Sequence, residues 1–180
     1  MRVLGIDPGS RHLGWGLLVR QGTRVEHIAH GVIDIDTSGT FAARLVEIDD
    51  ALGRVIEAHA PDAAAVESLF FAKDAQSAAK LGHARGVVLL RLARAGLPIA
   101  EYAPALVKRT VVGRGAAEKA QVAQVMTAVL RLATPPRPDA ADALAIAMTH
   151  LSAAGFAAAL AASGAPAPSS RARPRRARLA

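Results

Sequence analysis

Four acidic residues occupy positions where carboxylates can do chemistry. Asp7 and Glu67 each end a short apolar run, and Asp139 and Asp142 lie three residues apart at the start of a helical segment. Burying an acidic side chain costs free energy unless the charge is paired or binds a metal ion. Residues three apart share one face of a helix. If the four carboxylates converge, they repel one another unless a cation binds. Such oxygen-only sets suit Mg²⁺ or Mn²⁺.

Two hard cations about 4 Å apart can activate water and stabilise the leaving oxygen in phosphodiester hydrolysis. Each acid alone also has a simpler interpretation. Asp7 suits a turn in Asp7-Pro8-Gly9, Glu67 can be a strand end that reaches solvent, and Asp139 with Asp142 can cap a helix and favour its dipole. Two strand ends that each carry an acid, with two acids on one helix face, favour a joint site over four unrelated roles.

The charge distribution favours a polyanionic partner. The net charge is +7, yet residues 73–137 carry +8 and residues 1–72 carry −4. This asymmetry is typical of nucleic-acid binding, although a solvated surface with a basic tail would give the same totals. Cysteine is absent, which excludes disulfides and thiolate metal sites. We see no signal peptide or membrane span and therefore expect a cytoplasmic protein without a membrane partner.

The apolar periodicity predicts the elements that must position these acids. Three antiparallel strands open the chain, and helices and strands then alternate. This order is typical of an α/β layer fold with a mixed five-stranded sheet flanked by helices. The expected strands are 2–7, 14–20, 24–35, 63–67 and 97–102, and the expected helices are 41–56, 75–95, 104–113, 122–130 and one from Asp139.

Local signals support several helix ends and a domain boundary. Thr37, Ser38 or Thr40 can cap the first helix and Asp74 the second. Gly96 suits the second helix's C-terminal end. We expect one domain over residues 1–162. Residues 163–180 are mostly Ala, Pro, Ser and Arg, which predicts a disordered tail.

Ordered motifs from Arg2 to His150 closely resemble the bacterial RuvC Holliday-junction resolvases. Each motif alone is modest evidence for this family, but the whole set in this order is very specific to it. They are Gly5-Ile6-Asp7-Pro8-Gly9-Ser10, Val66-Glu67, Lys80-Leu81-Gly82-His83-Ala84-Arg85-Gly86, Thr110-Val111-Val112-Gly113, Glu118-Lys119-Ala120-Gln121-Val122 and Asp139-Ala140-Ala141-Asp142-Ala143.

The resemblance implies a ribonuclease H-like fold, a homodimer and a two-metal site at Asp7, Glu67, Asp139 and Asp142. Its cofactors would be two Mg²⁺ ions, or Mn²⁺ in their place. The implied activity is resolution of four-way junction DNA by symmetric nicks that leave 5′-phosphate and 3′-hydroxyl ends. The implied partners include the branch-migration proteins RuvA and RuvB. Some relatives carry His at the place of Asp139.

The resemblance also implies residues that hold DNA. Phe70 would stack on a splayed base, and Lys108 and Lys119 would lie beside the scissile phosphate, where a cation offsets developing charge. An arbitrary phenylalanine packs in the core and an arbitrary lysine is solvated, so composition alone does not assign these roles. Further backbone contacts are expected from Lys73, Lys80, Arg85 and Arg114.

Two rival functions fit parts of the pattern. The segment Gly5–Ser10 followed by glycines resembles the first phosphate loop of actin-like ATPases, but those enzymes need a second lobe for which this chain has no room. A protein that grips junctions without cutting is the other rival. The acidic set argues against it, because a pure phosphate binder would avoid carboxylates.

Overall fold

The computed structural model describes residues 1–68, 75–113 and 119–162, without the side chains of Lys119 and of residues 157–162. Several sequence-based predictions fall outside these residues, so they stay predictions. They concern the helix cap at Asp74, the disordered tail at 163–180 and the DNA contacts at Phe70, Lys73 and Arg114.

Within the described residues, five strands and five helices follow one another much as the periodicity predicts. The strands form one sheet in the order β3-β2-β1-β4-β5. β2 pairs antiparallel with β1 and β3, while β4 runs parallel to β1 and β5. The elements are β1 Arg2–Asp7, β2 His12–Gln21, β3 Arg24–Asp34, α1 Phe41–His59, β4 Ala63–Glu67, α2 Ala75–Arg94, β5 Ile99–Tyr102, α3 Pro104–Val112, α4 Lys119–Leu130 and α5 Pro138–Ala162.

The residues at the helix ends explain where the helices begin and end. The Thr40 hydroxyl accepts the Ala43 N–H at 3.2 Å, which selects it from the three predicted caps of α1. Gly96 follows α2 with φ 70°, a left-handed conformation that glycine adopts without strain. β5 begins at Ile99, two residues later than predicted, after Pro98, which has no N–H for a ladder. α5 begins at Pro138, because proline suits the first turn of a helix.

Alternation along β1 and β4 divides the core into two layers. Leu4, Ile6 and Val66 belong to the cluster that contains buried residues of α1 and α2. Val3 and Ala65 point the opposite way, into the cluster formed with α3, α4 and α5. Since side chains alternate along a strand, Asp7 and Glu67 at the strand ends face the α3–α4–α5 layer.

α5 lies unusually close to the sheet, because glycines face it. A Cβ added to Gly5 would be 2.0 Å from the Ala143 carbonyl oxygen, and one on Gly14 would be 2.0 Å from the Asp139 carbonyl oxygen. We call Gly5, Gly14 and Gly16 the glycine track. Although α5 is rich in alanine, no helix in the described part of the chain is long and apolar enough to cross a membrane.

The glycine track makes a stability prediction. Gly16→Ala should lower the free energy of unfolding by about 1–3 kcal/mol, because its Cβ would lie 2.7 Å from the Leu144 side chain. Gly5→Ala should cost more, since its Cβ would lie 2.0 Å from a backbone atom, the Ala143 carbonyl oxygen, whereas the two nearest atoms to a Cβ on Gly16 belong to a side chain. Gly39→Ala is the control, because its Cβ would make an ordinary 3.7 Å contact with Ala43. Urea denaturation measures all three, and equal losses would contradict the packing argument.

Candidate active site

Three of the four predicted acids meet at the carboxyl end of the central strands. Asp7 ends β1 and Glu67 ends the adjacent parallel strand β4. Asp142 comes from the first turns of α5, which the glycine track holds against β1 and β2. All three are half-buried and line one pocket of about 180 Å³. The remaining lining residues are Pro104, Val107, Lys108 and Val122.

Asp139 takes a different position beside this pocket. It is half-buried one helical turn before Asp142, and its side chain is not among those that line the cavity. Its backbone carbonyl packs on Gly14, which pairs with Asp7 across the β1–β2 ladder. The backbone of Asp139 is therefore near the site, while a ligand role for its carboxylate stays a prediction.

The donor set of the pocket fits a hard divalent cation. Asp7, Glu67 and Asp142 offer only carboxylate oxygens, the ligands that Mg²⁺ and Mn²⁺ prefer. Within the described ranges, no three acidic or histidine side chains form a ready-made metal cluster. Lys108 of α3 lines the same pocket and brings a positive charge to it.

A polar clasp fixes the segment that leads into α5. Arg137 donates two hydrogen bonds to the Asp34 carboxylate at the end of β3, at 2.6 and 2.7 Å. His12 at the start of β2 lies 2.8 Å from the same carboxylate through Nδ1. These bonds, above all that from Arg137, hold the pKa of Asp34 below its usual 3.8. We call Arg137, Asp34 and His12 the clasp.

Comparison with known proteins decides the family. The family model described as crossover junction endodeoxyribonuclease RuvC matches residues 3–150. The chain belongs to the RuvC family. The crossover junction endodeoxyribonuclease RuvC of Sorangium cellulosum (strain So ce56) is 92% identical over 179 residues, which cover 99% of each chain.

Two solved structures support the same assignment. The Thermus thermophilus RuvC structure is 36% identical, has a TM-score of 0.78, and the match covers 87% of this chain and 97% of that one. The structure of T. thermophilus RuvC in complex with Holliday junction substrate gives 34% identity and a TM-score of 0.78, with 87% and 96% covered. The resemblance, the RuvC fold and the enzyme class, a hydrolase that acts on DNA, are thereby confirmed.

The predicted basic residues occupy contrasting environments in this RuvC chain. Lys80 is exposed on α2, and Lys108 is half-buried at the acidic pocket. Arg85 is only 13% exposed, donates from Nε to the Glu67 carbonyl at 3.2 Å, and pairs with the Glu101 carboxylate. For Lys119 the structure describes its place at the start of α4 and not its side chain.

A larger groove of about 790 Å³ lies away from the acids of this RuvC chain. It contains His27 and His30, whose ring nitrogens approach to 2.8 Å. Burial lowers the pKa of both rings, and His30 further lowers that of His27. The strand register puts His27 beside Leu18, across from Val3, whereas Asp7 lies at the other end of β1. Among the described residues that line this groove, only Glu26 carries a carboxylate, so the groove is a poor match for acid-based nuclease chemistry.

Sequence reasoning missed two structural supports of the candidate active site. The clasp joins residues 103 positions apart, so no local pattern reveals it. The closely spaced Gly14 and Gly16 did carry a signal, since glycines in a strand often mark a close approach of other backbone. Their proximity to the Asp7 loop suggested a phosphate loop instead.

The clasp predicts a pH-dependent contribution to stability. Because the pKa of Asp34 is lowered on folding, the contribution is present above the unfolded pKa near 3.8 and is lost as the pH falls through lower values. Asp34→Asn should lower Tm at pH 7, and its gap from wild type should shrink on acidification below about pH 4. The exposed Asp50→Asn on α1 is the control. A gap that is unchanged between pH 7 and pH 2.5 would contradict the prediction.

Proposed function

We infer that this RuvC chain resolves Holliday junctions by metal-dependent phosphodiester hydrolysis. The observation that carries the inference is the pocket where Asp7, Glu67 and Asp142 meet beside Lys108. RuvC nucleases are metal-dependent, and a solved RuvC with the same overall fold holds Holliday junction substrate. The proposed products are two symmetric nicks with 5′-phosphate and 3′-hydroxyl ends.

Asp7, Glu67 and Asp142 would hold two Mg²⁺ ions, with Asp139 as a fourth ligand and Mn²⁺ as a substitute. When bound, the ions supply an activated water and charge stabilisation at the leaving oxygen. The chain itself supplies orientation, because two strand ends and one helix hold the carboxylates in place. Lys108 would offset negative charge that develops on the scissile phosphate, and Lys119 would act beside it.

Affinity for the junction would come from the basic part of the chain. Residues 73–137 carry a net charge of +8, and lysine contacts to phosphates give strong, salt-dependent binding. We propose exposed Lys80, together with Lys73 and Arg114, as backbone contacts, and Phe70 as the ring that stacks on a splayed base. RuvA and RuvB are the proposed protein partners.

The rival functions are less well supported. An actin-like ATPase would need an adenosine site on a second lobe, whereas the RuvC family model covers residues 3–150 of this chain. A non-cutting junction binder would not place three carboxylates and one lysine in a pocket that meets DNA, since the acids repel phosphate.

We further propose a two-fold homodimer through the outer face of α2. A Cβ added to Gly82 or Gly86 would meet nothing within 4 Å, and Leu90 is 49% exposed. Small residues on an open helix face allow a second helix to approach closely. A two-fold dimer offers two equivalent sites, which suits two equivalent strands of a junction.

The acidic pocket predicts that substitutions of its acids abolish cutting of the junction but leave binding of the junction largely unchanged. Asp7→Asn should retain junction affinity within about threefold while cutting falls by about 10³ or more, the scale of losing an essential electrostatic group. Glu67→Gln and Asp142→Asn should behave alike, and Asp139→Asn should be milder. Gel-shift titration in chelator and single-turnover nicking with Mg²⁺ measure the two quantities. Full nicking by Asp7→Asn would refute the proposed site.

Metal binding should also be visible without catalysis. In chelator, Asp7→Asn should melt at or above wild type, because one repelling charge is gone. Added Mg²⁺ should stabilise wild type by about 2.7 kcal/mol at a hundred times its Kd and the variant far less. Asp50→Asn is the matched control for loss of one carboxylate. Equal Mg²⁺ responses of Asp7→Asn and wild type would contradict the metal site.

The α2 dimer predicts a charge-sensitive association. Gly86→Glu should leave the protomer folded, because its side chain enters open space, yet should convert the dimer to monomer by setting like charges near the two-fold axis. Ala42→Glu, exposed on α1, is the matched charge control and should stay dimeric. Light scattering after size exclusion measures mass. A wild-type monomer with full cutting, or a dimeric Gly86→Glu, would contradict the interface.

A further inference from the structure

We propose that Arg85 is a positioning residue for Glu67 and not a contact to DNA, contrary to what its motif implies. The proposal rests on the metal-dependent nuclease function proposed above. Arg85 belongs to α2, Glu67 ends β4, and Glu101 belongs to β5. One guanidinium thus joins the helix to the ends of two parallel strands.

The hydrogen bonds act on the backbone of Glu67. Arg85 Nε donates to the Glu67 carbonyl at 3.2 Å, and the next amide, Ser68 N–H, donates to the Tyr102 carbonyl at 2.9 Å. The two bonds therefore fix the peptide unit between Glu67 and Ser68 where the strand ends. The backbone from which the Glu67 side chain extends is thereby fixed, and both hydrogen bonds act on backbone atoms and not on the Glu67 carboxylate.

The strand register explains why Arg85 and the pocket do not compete. Val66 pairs with Glu101 and Glu67 pairs with Tyr102 in the parallel β4–β5 ladder. Val66 faces the α1–α2 layer, so Glu101 beside it faces that layer too, while Glu67 points to the opposite layer. Arg85 consequently approaches from the side of the sheet opposite the acidic pocket.

Burial and charge pairing argue against a role in DNA binding. The Arg85 side chain is 13% exposed, and its charge is matched by Glu101, whose side chain is 49% exposed. To reach a phosphate, the guanidinium would have to leave both the carboxylate and the Glu67 carbonyl. Removing an established partner of a partly buried charge is costly. Lys80, on the same helix and exposed, has no such constraint from burial.

The arrangement suits arginine rather than lysine. A planar guanidinium presents several N–H donors in a fixed fork, so Nε and a terminal nitrogen can bind two acceptors at once. A lysine ammonium is a point charge and would retain the attraction to Glu101 without the defined geometry at Glu67. Groups that orient metal ligands from behind typically change metal affinity or activity by about 10–100-fold when altered.

The test compares Arg85→Gln, Arg85→Lys and Glu101→Gln with Lys80→Ala in the full-length chain. Junction affinity in chelator is measured from low to moderate salt, single-turnover nicking is measured against Mg²⁺ concentration, and the Mg²⁺-induced shift in Tm is recorded. The last two separate a weaker metal site from a weaker DNA site.

A positioning role predicts a distinct profile. Arg85→Gln should nick about 10–100-fold more slowly, require more Mg²⁺ and show a smaller Mg²⁺-induced Tm shift, with junction Kd and its salt slope within twofold of wild type. Arg85→Lys should rescue little, and Glu101→Gln should show a weaker form of the same defect. Lys80→Ala should instead lower the salt slope by about one and leave the Mg²⁺ requirement unchanged.

The opposite profile overturns the proposal. If Arg85→Gln loses affinity and salt slope while its Mg²⁺-induced Tm shift equals that of wild type, Arg85 is a DNA contact. If Arg85→Gln does not fold, Glu101→Gln decides between the two roles. Glu101 is half-exposed, and the glutamine removes the negative charge that pairs with Arg85 but keeps a side-chain oxygen that accepts a hydrogen bond. Failure of the proposed function looks different: wild type itself would bind the junction and neither nick nor respond to Mg²⁺.

Discussion

The close contact between α5 and the sheet is the constraint on which the rest of the structure depends. The Ala143 and Asp139 carbonyls occupy space that a Cβ on Gly5 or Gly14 would fill, so the helix backbone lies directly on β1 and β2. This contact brings Asp142 to the end of β1, where Asp7 emerges. The acids come from distant parts of the sequence, and without that close contact the strand ends would carry only the carboxylates of Asp7 and Glu67.

Gathering carboxylates works against folding, and the surrounding structure offsets this cost. Like charges at short range favour separation, so each acid needs support that does not depend on a cation. Glu67 is held through its backbone by Arg85 and by the bond from Ser68 to Tyr102. The segment before Asp139 is held by the clasp through Arg137 and Asp34. Lys108 adds a positive charge inside the pocket. The acids are therefore supported by contacts from several elements of the fold.

Local signals predicted much of the fold and of the site, and long-range supports escaped prediction for physical reasons. Apolar runs that end in Asp7 and Glu67 predicted two strands, and these acids line the acidic pocket, while Thr40 and Gly96 marked helix ends. The glycine track could not be interpreted fully, because one glycine pattern serves both a phosphate loop and close helix packing. Arg85 has the residue type of a phosphate contact, and only its three-dimensional surroundings, the Glu67 carbonyl and the Glu101 carboxylate, distinguish that role from positioning. In the clasp, Arg137 and Asp34 lie 103 positions apart, and no local spacing of residues shows that two such distant side chains will pair.

Under the proposed function, the layout also separates the surfaces that would bind the junction from the pocket that would cut it. A pocket lined by Asp7, Glu67 and Asp142 repels a phosphate, so the attraction that brings DNA to the protein has to arise on basic surfaces elsewhere. Residues 73–137 supply that charge, and they include α3 with Lys108 beside the acids. Asp7, Glu67 and Asp142 would hold the proposed cations, and their neutralised charge would no longer repel the phosphate at this pocket. Under the proposed function, the ions that enable hydrolysis would therefore also admit the substrate to the pocket, and the basic surfaces would hold a junction without them.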